Sequence, residues 1–158
     1  MATYSFKTTQ QISIPLDEAW DFFSNPANLQ KITPPTMGFN IISSFHGTSM
    51  YPGQLIEYTV RPLLGIPLYW MTEITHVQEL EYFIDEQRFG PYSLWHHQHH
   101  FKPLPGGRVE MTDIVHYRIP FGILGDIANT LFVKRKLKEI FDYRYQAVER
   151  HFKKWNEF

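Results

Sequence analysis

Polar and apolar residues alternate along the first stretch of the chain and return at helical spacing near its end. Residues 3–14 put Tyr4, Phe6, Thr8, Gln10, Ile12 and Ile14 on one face at every second position, which predicts a strand ended by Pro15. Asp17, Glu18, Ala19, Trp20, Phe22 and Phe23 predict a short helix with acidic residues in its first turn. Asn25-Pro26 interrupts it, residues 27–32 predict a second short helix, and Thr33-Pro34-Pro35 stops that one. Six more strands are predicted over 37–45, 53–61, 67–78, 81–88, 93–103 and 108–119. Turn signals at Tyr51-Pro52-Gly53, Leu64-Gly65-Ile66-Pro67, Phe89-Gly90-Pro91 and Pro105-Gly106-Gly107 separate most of them. From Leu124 to Trp155 the period changes: Leu137, Ile140, Phe141, Tyr145, Val148, Phe152 and Trp155 recur at steps of three and four. That spacing predicts one long amphipathic helix.

Short connections make successive strands antiparallel neighbours. The expected architecture is α+β: a seven-stranded curved antiparallel sheet wrapped on a long C-terminal helix, with two short helices after the first strand. One helix is too narrow to cover so wide an apolar face, so the sheet must curl around it, and a cavity is expected between them. With 158 residues and no linker or repeat, residues 1–158 are expected to form a single domain.

Composition narrows the function classes. Hydrophobic residues are 43% and aromatics 16% of the chain, which suits a folded domain with an aromatic-lined interior. The net charge is −1, and the one basic cluster is Lys134, Arg135, Lys136 and Lys138, so no nucleic-acid footprint is expected. Cysteine is absent, which excludes disulfides, thiolate nucleophiles and cysteine zinc sites. The first residues do not read as a signal peptide and no apolar run approaches a membrane span, so a cytoplasmic location is expected.

Three stretches carry a family likeness. Gly90-Pro91-Tyr92-Ser93-Leu94-Trp95-His96-His97-Gln98-His99-His100-Phe101 is similar to a GP(F/Y)xxWxHxHxF stretch of bacterial SRPBCC proteins. Asp113-Ile114-Val115-His116-Tyr117-Arg118-Ile119-Pro120-Phe121-Gly122-Ile123-Leu124-Gly125 is similar to their DxVxYxxPFGxLG segment, and Leu64 to Ile74 also matches. The chain therefore resembles the SRPBCC or START-like (Bet v 1-like) superfamily, in the subgroup named polyketide-cyclase-like or cell-division-inhibitor-like. The resemblance implies the helix-grip fold. The superfamily spans carriers, receptors and cyclases, so fold does not settle function.

Strand alternation sorts the side chains that would face the cavity. Ile56, Tyr58 and Val60; Trp70, Thr72 and Ile74; Phe83, Asp85 and Gln87; Trp95, His97, His99 and Phe101; and Val109, Met111, Asp113, Val115, Tyr117 and Ile119 are placed inward. If Gln87 lies opposite Trp95, Asp85 faces His97; if Phe101 lies opposite Val109, His97 faces Asp113. A shift of two in the second hairpin pairs His99 with Asp113 instead. The expected ligand-binding set is Tyr58, Trp70, Asp85, Trp95, His97, His99, Asp113 and Tyr117, with the aromatics as walls and the His–Asp row as polar anchor.

The leading expectation is binding or carriage of a small hydrophobic ligand: a lipid, an isoprenoid or an aromatic polyketide-like molecule. A rival is a cyclase, dehydratase or hydrolase using His97, His99 and Asp113 as catalytic residues, an inward His–Asp pair being the general base. A third reading is a protein-interaction adaptor. Four histidines in six residues invite a metal, but alternation lets no more than two converge, with Asp113 as a third ligand. No helical His-x-x-x-His and no further inward histidine supports it, so no metal and no cofactor is expected. The connections 62–67, 89–92 and 120–125 should share one end of the sheet and form an apolar mouth of Leu63, Leu64, Ile66, Tyr92, Phe121, Ile123 and Leu124. Such a mouth suits a transient membrane contact or a homodimer contact.

Overall fold

The computed structural model describes residues 2–44, 49–62 and 65–153. Expectations that fall on residue 45, Leu63, Leu64 and Trp155 lie outside them. Alternation of buried and exposed positions builds the strands: β1 Tyr4–Ile12, β2 Asn40–Ile41, β3 Leu55–Val60, β4 Leu68–Gln78, β5 Tyr82–Phe89, β6 Leu94–Leu104 and β7 Arg108–Arg118. They form one seven-stranded sheet in the order β1-β7-β6-β5-β4-β3-β2, antiparallel throughout. Helix α1, Leu16–Phe23, and a 3₁₀ helix at Pro26–Ile32 follow β1 as the sequence predicts. Asn25 starts the second by accepting a hydrogen bond from the Ala27 N–H at 3.0 Å.

Two expectations are corrected. The predicted 37–45 strand shrinks to β2, Asn40–Ile41. Pro34 and Pro35 favour a turn, so Pro35–Met37 closes a 3₁₀ turn that buries Met37, and Gly38 then reverses the backbone at φ +51°. The C-terminal helix also departs from one uniform period. It begins as α2, Ile123–Ala128, passes through a π turn at Asn129–Val133 and continues as α3, Lys134–Lys153. The extra residue of a π turn rephases the side chains. Ile123, Leu124, Leu131 and Phe132 are exposed, whereas Leu137, Phe141, Val148 and Phe152 are buried. Tyr145, expected on the apolar stripe, is exposed.

The sheet curls because its registers slip. The β4–β5 pairing shifts between Met71 and Thr72 and again between Ile74 and His76, and such bulges bend a strand and increase its twist. The inner faces of β6 and β7 then pack on α3: Phe101, Val109 and Met111 share a core with Ala147, Val148 and Phe152, and Val115 and Tyr117 share another with Leu137 and Phe141. Trp20 of α1 closes one end edge-on against Phe83 and Phe101, at 6.0 and 5.5 Å between ring centroids.

The hairpins set the site. Asp85 pairs with His97 across β5 and β6, as the Gly90-Pro91 turn suggests. Across β6 and β7 the alternative register holds: Phe101 pairs with Met111 and His99 with Asp113. Gly106 and Gly107 both have positive φ, +80° and +68°, so both belong to the turn and pairing starts at Leu104–Arg108.

Candidate functional site

A cavity of about 200 Å³ lies between the inner face of β3–β6 and α3. Its walls are mostly aromatic. Tyr58 stacks on Trp70 at 5.9 Å, and Trp95 meets Trp70 edge-on at 5.3 Å. Phe141 and Ile140 of α3 face them. Thr72 ties this wall together: its hydroxyl accepts the Trp70 indole N–H at 3.0 Å and shares a hydrogen bond with the Tyr58 hydroxyl at 3.2 Å. Burial raises the phenol pKa values of Tyr58 and Tyr92, so both remain neutral.

The buried charge is gathered in one cluster. Asp85 Oδ2 lies 2.8 Å from His99 Nε2 and 3.4 Å from His97 Nδ1. Asp113 Oδ1 lies 2.9 Å from His99 Nδ1 and 3.1 Å from His97 Nε2. Each imidazole is thus held between the same two carboxylates. The two rings lie tilted at 3.8 Å between centroids, and Phe83 stacks on His99 at 4.2 Å. Arg144 reaches in from α3, with Nη2 3.6 Å from Asp113 Oδ1 and 3.5 Å from His99 Nδ1.

Electrostatics divide the histidines. Burial opposes charge on all of them. For His99, the hydrogen bonds to Asp113 and Asp85 outweigh burial, and its pKa is raised. For His97, burial and the charge of His99 outweigh the carboxylates, and its pKa is lowered. Burial also opposes the carboxylates, yet both stay ionised. Arg144 and the two histidine hydrogen bonds hold Asp113 well below its usual range, and His97, His99 and Arg144 lower Asp85. The cluster therefore favours ionised Asp85 and Asp113, favours the cationic form of His99 and disfavours that of His97. A buried ionic group is tolerated when it is paired and hydrogen-bonded in this way.

Of the residues singled out from sequence, Tyr58, Trp70, Asp85, Trp95, His97 and His99 line the cavity. Asp113 stands behind the histidines, beside a smaller pocket with Thr8 and Tyr145. Tyr117 is buried away from the lining, and its hydroxyl donates to Asn129 Oδ1 at 2.9 Å. Arg144 was not anticipated. Its signal was present: it falls three residues after Phe141 and four before Val148, a charge on the apolar stripe of the helix.

The expected mouth is met in part. The end of β3, the start of β4 and the 89–93 and 119–122 connections share one end of the sheet. Pro62, Pro91 and Tyr92 line the cavity there, together with Lys136 of α3. No residue of 120–125 does. Phe121, Ile123 and Leu124 point outward instead and are 80%, 77% and 72% exposed. Among the described residues no helix is long and apolar enough to cross a membrane.

No family model matches the chain. No curated protein matches it either. Solved structures do. A START superfamily protein from Mycobacterium smegmatis has a TM-score of 0.69 at 13% identity, covering 96% of this chain and 98% of that one. The Zhui aromatase/cyclase from Streptomyces sp. R1128 has a TM-score of 0.71 at 14% identity, covering 96% and 94%. Ara h 8.0201 has a TM-score of 0.65 at 14% identity, covering 96% and 98%. At such identities the likeness is one of fold: the chain has the helix-grip fold of START and Bet v 1-like (SRPBCC) proteins.

Proposed function

We propose that the protein binds one compact, largely apolar small molecule in the cavity and orients it by a polar group directed at Asp85, His97, His99 and Arg144. The observation that carries this reading is the aromatic enclosure with its buried charge gathered in one cluster. Size sets the ligand class. An apolar cavity of about 150 Å³ takes up benzene, so about 200 Å³ suits one or two fused rings or a short isoprenoid. A long acyl chain or a four-ring polyketide requires the helix to move away from the sheet. The charges favour a phenol, whose oxygen accepts from Arg144 and whose O–H donates to Asp85, or a carboxylate that accepts from Arg144. Native mass spectrometry after incubation with one- and two-ring phenols and carboxylates, beside a long-chain fatty acid, tests this. A single compact ligand per chain is expected; retention of the fatty acid alone, or of nothing, contradicts the reading.

One observation favours chemistry at the same site. His97 lines the cavity, its neutral form is favoured, and its Nε2 is hydrogen-bonded to Asp113, the arrangement of a general base oriented by a carboxylate. On that reading the protein exchanges the acidic C–H protons of a bound two-ring ketone in D₂O, and His97→Gln abolishes the exchange while binding persists.

The end of the sheet that carries the mouth is proposed to rest on an anionic lipid surface, from a cytoplasmic location. Ile66, Phe89, Phe121, Ile123 and Leu124 are exposed at this end, and Lys134, Arg135 and Lys138 follow within the next turns of helix. Apolar side chains beside lysines are the chemistry of interfacial docking.

A further inference from the structure

We propose that Asp85, His97 and His99 together bind one divalent transition-metal ion, with Asp113 as the outer carboxylate that fixes both imidazoles in ligating tautomers. Asp85 Oδ2, His97 Nδ1 and His99 Nε2 lie within 4.8 Å of one another, and the two nitrogens stand 3.4 and 2.8 Å from the oxygen. Ligands about 2.0–2.2 Å from a tetrahedral zinc stand about 3.3–3.6 Å apart. The donor atoms are therefore close to ligating separation before any ion enters.

The outer contacts are the stronger sign. A metal-bound imidazole almost always gives its second N–H to a carboxylate or carbonyl, which sets the tautomer and raises the basicity of the ligating nitrogen. Here the second nitrogens of both histidines meet the same atom: His97 Nε2 and His99 Nδ1 lie 3.1 and 2.9 Å from Asp113 Oδ1. Donation from both to Asp113 leaves His97 Nδ1 and His99 Nε2 as lone pairs facing Asp85. Arg144 beside Asp113 completes that outer layer from the helix.

The inner three residues line the cavity, whereas Asp113 does not. Three protein ligands with the remaining position open to a cavity is the layout of a site that takes a further ligand. Two imidazoles and one carboxylate suit Zn²⁺, Co²⁺, Ni²⁺ or Fe²⁺ rather than Ca²⁺ or Mg²⁺, which prefer oxygen. With both imidazoles neutral, the ion, two carboxylates and Arg144 sum to one positive charge, so the open position favours an anion such as hydroxide, phenolate or carboxylate. Alternation along β6 alone offers two histidines, and Asp113 was the third ligand to consider. The β5–β6 register supplies Asp85 instead and moves Asp113 to the outer layer.

The test needs no organic ligand, so its failure leaves the binding proposal standing. Tag-free protein is stripped with a chelator, and Co²⁺ and Zn²⁺ uptake is followed by calorimetry, elemental analysis and, for Co²⁺, the visible spectrum. One ion per chain is expected. Paramagnetic broadening of the His97 and His99 imidazole NMR signals by Co²⁺ places it in the wild-type chain without any substitution. Asp85→Asn and His97→Ala are expected to weaken binding at least tenfold, and Asp113→Asn about 10–100-fold. The competitor lies on the outer face, where His96 and His116 stand 6.2 Å apart near Glu86. The double variant His96→Ala/His116→Ala is expected to leave uptake unchanged. Absence of stoichiometric uptake by folded wild type, or uptake lost only in that double variant, overturns the proposal.

Discussion

Arg144 sits where two demands meet. Its position on the helix belongs to the apolar stripe, yet its partly exposed guanidinium reaches in beside the buried Asp113. Removing one partner of a buried charge set leaves the other uncompensated, at a cost of about 3–5 kcal/mol. Arg144→Met is accordingly expected to destabilise the fold by about 3 kcal/mol, the low end because Asp113 keeps both histidines. Adding Asp113→Leu should cost less than the sum of the single changes, by about 0.5–3 kcal/mol, as for residues of one network; urea unfolding of the four proteins measures it. Acid titrates the same cluster. Asp113 has a lower pKa folded than unfolded, so its contribution is whole above the ordinary carboxylate value of about 3.9 and is lost as pH falls through the folded value. In chelator-treated protein, the stability gap between wild type and Asp113→Asn should hold at about pH 5 and narrow below about pH 4. Much of this cluster was legible beforehand. Alternation placed Asp85, His97, His99 and Asp113 on one face, and the first hairpin paired Asp85 with His97. The partner of Asp113 depended on whether Gly107 belonged to the turn, which periodicity cannot decide.

At the scale of elements, the π turn is the departure that matters most. Asn129 is buried at its start and accepts the Tyr117 hydroxyl. The turn lets the helix change phase, so Ile123, Leu124 and Ile127 face outward while Leu137, Phe141, Val148 and Phe152 face the sheet. A helical period read from sequence assumes one phase and cannot show this; the missing sign was a polar residue at a buried position. Asn129→Leu should leave the Tyr117 hydroxyl buried without a partner, at about 1–3 kcal/mol. Tyr117→Phe in the same chain should restore most of that loss, read from thermal unfolding. The β2 expectation failed for a different reason. Thr33, Pro34 and Pro35 were read as ending a helix, but Pro34 and Pro35 also build the 3₁₀ turn, and Gly38 the reversal, that take up the start of the strand. The long strands were legible because each has one buried face; the two-residue β2, with no buried position, had no alternation to read.

The whole molecule follows from a mismatch of widths: seven strands and one long helix. Two register slips in β4 and β5 bend the sheet, and the helix fills most of the space inside it. What remains is the cavity, with its mouth beside exposed apolar side chains. If that end rests on lipid, the protein should co-sediment with vesicles of anionic lipid, less with neutral vesicles and less in high salt. Phe121→Ser/Leu124→Ser should abolish the association while the protein stays folded. A homodimer that the same double variant dissolves, with no vesicle binding by wild type, would assign the surface to a second copy instead. The central claim concerns the cavity, and it is tested most directly by NMR titration of the chain with 2-naphthol. The account predicts saturation at one ligand per chain, with the largest shifts at the Trp70 and Trp95 indoles and the His99 imidazole. Shifts confined to surface residues, or none at millimolar ligand, would contradict it.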